Sequence, residues 1–137
     1  MSNNYFAFKQ FTVWQSDCAL KVCTDACLFG AWVAHQLTSN PPTTILDIGT
    51  GTGCIPITLK KNLPKSTIFG LDVSDKALEV ATINALNNET EVAFFQKDIL
   101  ATTLLDRSFD VIVSNPPYVL ELEKKEIKNK VLKKKKK

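Results

Sequence analysis

Apolar positions over the first forty residues follow two rhythms. Phe6, Phe8, Phe11 and Val13 alternate with polar or small neighbours, with a slip at Lys9-Gln10. Period two predicts an extended, hairpin-like piece over residues 8–15. From Thr24 or Asp25, either of which can cap a helix, the period changes. Ala26, Phe29, Gly30, Val33 and Leu37 fall on one helical face, and Ser39-Asn40-Pro41-Pro42 ends the run.

Beyond residue 44 the pattern becomes a repeat of strand, turn and helix. Ile45-Leu46-Asp47-Ile48 is a short apolar strand, Gly49-Thr50-Gly51-Thr52-Gly53 a turn, and a helix is predicted over residues 55–62. Pro56 suits its first turn, where no amide donor is missed. A second strand covers residues 67–72, and Ser74 caps a helix over 75–87. Third and fourth strands cover 91–96 and 109–114. Short apolar strands alternating with helices predict parallel βαβ units in an α/β fold.

Composition narrows the class. A chain of 137 residues, 45% hydrophobic and 23% charged, suits one globular domain. Its apolar runs, such as Val111-Ile112-Val113, fall far short of the ~20 residues that span a bilayer. The N-terminus shows no basic segment leading into an apolar one, so the expectation is a cytoplasmic protein. The net charge of +3 is unevenly placed. Residues 1–123 carry 8 Lys and Arg against 13 Asp and Glu, a balance of −5, while residues 124–137 carry 9 Lys against Glu126, a balance of +8. The basic excess is a terminal lysine run and gives the body no nucleic-acid-binding face. Three segments are expected: an N-terminal extension (1–43), a core (44–123) and a lysine-rich tail (124–137). Cys18, Cys23, Cys27 and Cys54 match no zinc spacing, so no metal is expected and the thiols read as reduced.

Chemistry concentrates at the strand ends. The turn 49–53 follows a strand and opens a helix, where glycines let a ligand approach the backbone. It reads GxGxG and has no Lys-Ser/Thr after it, so it is not a P-loop. Asp47 would repel a pyrophosphate and favour a cationic or amino group. Asp72 ends the second strand, where an acidic side chain can take ribose hydroxyls. Asp98, just after the third strand, can accept from an adenine amino group. Ser114-Asn115-Pro116-Pro117-Tyr118 ends the fourth strand. Its two prolines stiffen the turn. The Asn115 side chain, the Pro116 carbonyl and the flat ring of Tyr118 then suit a planar amine or amide nitrogen.

In order, LDIGTGTGC, FGLDVS, QKDIL and SNPPYV resemble the class I S-adenosylmethionine-dependent methyltransferases over residues 45–132. The resemblance implies a partial Rossmann-like sheet ordered 3-2-1-4 with the fourth strand as an edge, and a C-terminally truncated chain. It implies that Asp47 and the turn Gly49, Thr50, Gly51 and Gly53 hold the methionine part of the cofactor. Asp72 would hold the ribose, Asp98 the adenine, and Asn115, Pro116 and Tyr118 the acceptor nitrogen. Residues 45–132 are similar to enzymes that methylate the glutamine amide of release factors. Residues 5–37, with Phe8-Lys9-Gln10-Phe11-Thr12-Val13 and Thr24-Asp25-Ala26-Cys27, resemble tRNA adenine-N6 methyltransferases. The first expectation is therefore a release-factor glutamine methyltransferase. The alternatives are a tRNA adenine-N6 methyltransferase and an inactive fragment.

Overall fold

The computed structural model describes residues 4–15, 24–101 and 105–116. The chain opens with an antiparallel hairpin, β1 (Tyr5–Ala7) and β2 (Thr12–Trp14), in which Phe6 pairs with Val13. The slip at Lys9-Gln10 is its turn, closed by the Phe8 N–H donating to the Phe11 carbonyl at 2.7 Å. The extended segment thus starts at Tyr5, three residues before the sequence expectation. Helix α1 (Thr24–Leu37) follows.

The core then runs β3 (Thr44–Ile48), α2 (Cys54–Asn62), β4 (Thr67–Asp72), α3 (Asp75–Asn87), β5 (Val92–Gln96) and β6 (Val111–Ser114). Its four strands are all parallel and ordered β5-β4-β3-β6, the 3-2-1-4 order expected of the core strands. Central strands of such a sheet are covered on both faces and need apolar side chains throughout. Ile45, Leu46, Ile68 and Leu71 accordingly lie fully buried.

One face packs against the helices. Val13, Val33, Ala34, Ile45, Cys54, Ile55, Leu59, Ile68 and Val113 form a single cluster, so the hairpin and α1 share the core of the sheet. α1 packs closely on α2 at Gly30, where a Cβ would make ordinary contact with the Thr58 Cβ at 3.5 Å. The other face holds Leu46, Phe69 and Leu71, with Ile99, Leu105 and Phe109 folded over them. The Arg107 guanidinium lies 5.0 Å from the centre of the Phe69 ring.

The last strand starts at Val111 and not at residue 109. Phe109 turns away to meet Phe69 edge-on at 5.1 Å. The Asp110 carboxylate accepts the Thr44 N–H at 2.9 Å, which fixes where pairing with β3 begins. Among the described residues no helix is long and apolar enough to cross a membrane.

Candidate functional site

β3 connects to β4 on one side and is flanked by β6 on the other, so the strand order reverses beside it. The C-terminal ends of strands at such a point leave a crevice that open α/β sheets use for ligands. The glycine turn leaves β3 there, Asp72 closes β4, and Asn115 follows β6.

The turn is tied to the end of β4. The N–H groups of Gly49 and Thr50 both donate to the Leu71 carbonyl, at 2.9 and 3.0 Å, and the Gly51 N–H donates to Asp72 Oδ2 at 2.9 Å. Gly49, Gly51 and Gly53 all have positive φ, at 75°, 55° and 82°. A Cβ on Gly49 or Gly51 would meet nothing within 4 Å, so the turn is open on that side. Gly53 is different. A Cβ there would lie 3.1 Å from the Ala81 Cβ, because the turn presses against α3. Gly53 also starts α2 with no side-chain cap.

Asp47 is fully buried on β3, and neither carboxylate oxygen has a hydrogen-bond partner; the Thr50 hydroxyl is likewise unpartnered. Burial raises the Asp47 pKa from 3.8 to about 7. The Thr50 hydroxyl, near but outside hydrogen-bonding geometry, offsets part of this, and the negative charge of Asp72 adds to it. An orphaned carboxyl behind a turn that is open on its other side fits a ligand that brings positive charge.

Asp72 is half-buried and already engaged. Besides the Gly51 N–H, it accepts the Ser74 N–H through Oδ1 at 3.0 Å. Each oxygen keeps a second lone pair. Asp98 is exposed, and its Oδ1 accepts the Leu100 N–H at 2.9 Å, as a loop cap does. The Lys97 N–H donates to the Asp72 backbone carbonyl at 3.1 Å, which joins the ends of β4 and β5 and brings Asp98 to the same rim. Asn115 is half-buried and Pro116 exposed. They continue from Ser114, whose hydroxyl donates to the Ile48 carbonyl at 3.0 Å, one residue before Gly49. Tyr118, the tail and Cys18 and Cys23 lie outside the described residues. Among those described, no group of three His, Cys, Asp or Glu is placed to hold a metal.

Residues 30–137 match the family model described as methyltransferase small domain. The chain belongs to this family. Its fold is that of S-adenosylmethionine-dependent methyltransferases. It superposes with a TM-score of 0.64 on the Pyrococcus abyssi tRNA (uracil-54, C5)-methyltransferase solved with S-adenosyl-L-homocysteine, at 19% identity over 85% of this chain and 29% of that one. With the plantazolicin methyltransferase BpumL, also in complex with S-adenosylhomocysteine, the TM-score is 0.55 at 26% identity, over 80% and 43% of the two chains. A release factor glutamine methyltransferase of Flavobacterium psychrophilum is 60% identical over 88 residues, 64% of this chain and 31% of the relative. A tRNA1(Val) (adenine(37)-N6)-methyltransferase of Bacteroides thetaiotaomicron is 41% identical over 124 residues, 88% of this chain and 50% of the relative. The chain thus spans half or less of the curated relatives it matches.

Sequence patterning gave no sign of two side chains that reach across the fold: Asn84 on α3, which touches the glycine turn, and Asn88, the cap just after α3, which touches only the hairpin and the helix end. Their spacing of four puts them on one helical face, but neighbouring asparagines at a helix end also read as a terminator. Only the tertiary fold shows what they reach.

Proposed function

We propose that the chain binds S-adenosylmethionine across the ends of β3 and β4 and methylates a planar nitrogen held at Asn115. The observation that carries this reading is the open glycine turn set between Asp72 and Asn115 at the reversal of strand order. The Gly49, Thr50, Gly51 and Gly53 backbone and the uncapped start of α2 receive the methionine part. Asp47 supplies negative potential from behind the turn, opposite the cofactor's cationic groups. The free lone pairs of Asp72 take the ribose hydroxyls, and Asp98 takes the adenine amino group. When bound, the cofactor supplies an electrophilic methyl group on a sulfonium. Asn115 and the Pro116 carbonyl accept the hydrogens of the acceptor nitrogen and aim its lone pair in line, with Tyr118 stacked on its plane. Positioning and hydrogen bonds that enrich the nitrogen account for the acceleration.

The acceptor we favour is the glutamine amide of a release factor, on the strength of the 60% identical relative. A tRNA adenine is the second reading. It is favoured by the relative that matches 88% of the chain, and by a hairpin built into the core. Transfer of a labelled methyl group from S-adenosylmethionine to purified release factor, with tRNA in a parallel reaction, tests both. Labelled release factor supports the first reading and labelled tRNA the second. Cofactor binding without transfer to either overturns both.

A further inference from the structure

Asn84 is completely buried on α3, and both amide hydrogens and the amide oxygen are bonded to two other parts of the chain. Its Oδ1 accepts the Trp14 N–H at 2.8 Å. Its Nδ2 donates to the Trp14 carbonyl at 2.9 Å and to the Thr52 carbonyl at 2.9 Å. One N–H and two carbonyls as partners fix the orientation of the amide. Trp14 belongs to β2 and Thr52 to the glycine turn, so one side chain joins the hairpin, α3 and the turn. The same face of α3 meets the turn a second time through Ala81, three residues earlier, whose Cβ and Cα would lie 3.1 and 3.3 Å from a Cβ at Gly53 and crowd it.

Asn88 supplies an internal comparison. Its Oδ1 accepts the Thr12 N–H at 3.3 Å, and its Nδ2 donates to the Thr12 carbonyl at 2.8 Å and to the Asn84 carbonyl at 2.7 Å. It therefore holds the hairpin as Asn84 does, but both of its amide hydrogens are committed away from the turn.

We propose that Asn84 is a positioning residue for the cofactor: by holding the Thr52 carbonyl against the edge of β2, it makes the N-terminal hairpin part of the structure that sets the shape of the glycine turn. The inference rests on the cofactor reading above. A turn with three positive-φ glycines has many accessible shapes, and a binding-competent one must be selected by its surroundings. The Leu71 and Asp72 bonds fix its first half, while Asn84 and Ala81 fix its second half. Coupling of this kind is reciprocal, so a ligand that orders the turn also steadies Trp14.

The test is calorimetric titration of the full chain and of the variants Asn84→Ala and Asn88→Ala with S-adenosylhomocysteine, well below their melting temperatures. Both variants lose a tie to the hairpin. The expected result is a loss of affinity of about ten-fold or more for Asn84→Ala and less than about two-fold for Asn88→Ala. Equal losses, or none, overturn the proposal. Hydrogen exchange on the unsubstituted chain gives a readout that needs no variant to fold. Ligand should slow exchange of the Trp14 amide more than that of the Thr12 amide, and equal protection overturns the coupling. Failure of the unsubstituted chain to bind S-adenosylhomocysteine would overturn the cofactor reading itself.

Discussion

At the scale of single residues, Asp47 carries a definite pH signature. Its pKa is about 7 in the folded chain against 3.8 for an ordinary Asp. Between those values the folded state binds the extra proton, so this residue makes stability fall as pH rises from about 4 to 7 and adds no further slope above that. Asp47→Asn removes the term. Its melting temperature should match the unsubstituted chain near pH 4 and exceed it near pH 8, by the equivalent of at most about 4 kcal/mol. Identical melting curves at both pH values would show that the carboxyl is not strained by burial. The same substitution should weaken S-adenosylmethionine binding at pH 8, because the negative potential behind the turn is gone. Asp72 ties Gly51, and in the proposed site it also takes the ribose hydroxyls. Asp72→Ala should lower cofactor affinity by roughly 1.5–3 kcal/mol in calorimetry, the range for hydrogen bonds to charged groups. Asn115→Ala should abolish methyl transfer and keep cofactor affinity within a few-fold. Loss of both functions would instead make Asn115 a structural part of the turn.

At the scale of elements, the glycine turn and α3 act as one unit. Gly53→Ala combines a φ of 82° with a Cβ 3.1 Å from that of Ala81. The expected cost is about 1–3 kcal/mol of stability, read from urea denaturation. Gly49→Ala meets the same positive φ but open space, and should cost less. The repeating strands and helices were legible from sequence because each obeys a local rule. Ser74 does cap α3, its hydroxyl accepting the Ala77 N–H at 3.2 Å, and Pro56 does lie in the first turn of α2. The start of the hairpin at Tyr5 and of β6 at Val111 was not legible. Each is set by a pairing partner, Trp14 across the hairpin for Tyr5 and, 66 residues away, Thr44 bonded to Asp110 for β6. In the site, the strand-end positions of Asp47, Asp72 and Asn115 followed from the βαβ rhythm. The orphaned state of Asp47 and the bridging by Asn84 did not, because they depend on which side chains the tertiary fold brings within 3 Å.

At the scale of the whole molecule, charge separates two kinds of RNA contact. The nine lysines beyond residue 123 can neutralise several phosphates and carry no sequence information. A chain ending at Glu123 should lose most of its affinity for random RNA in filter binding across a salt series, and keep its cofactor affinity. A preference for one tRNA that survives the shortening would place recognition in the body and move the adenine reading ahead of the release-factor reading. The ties from Asn84 and Asn88 also set a timetable. The Thr12 and Trp14 backbone groups face Asn88 and Asn84, which lie 76 and 70 positions later in the chain. A ribosome adding ~5–20 residues per second takes on the order of 4–15 s to cover that interval. For those seconds the Thr12 and Trp14 backbone groups have only water or another strand as partners, and the hairpin lacks the helix that completes its edge. Slower translation would lengthen the interval before that edge is completed.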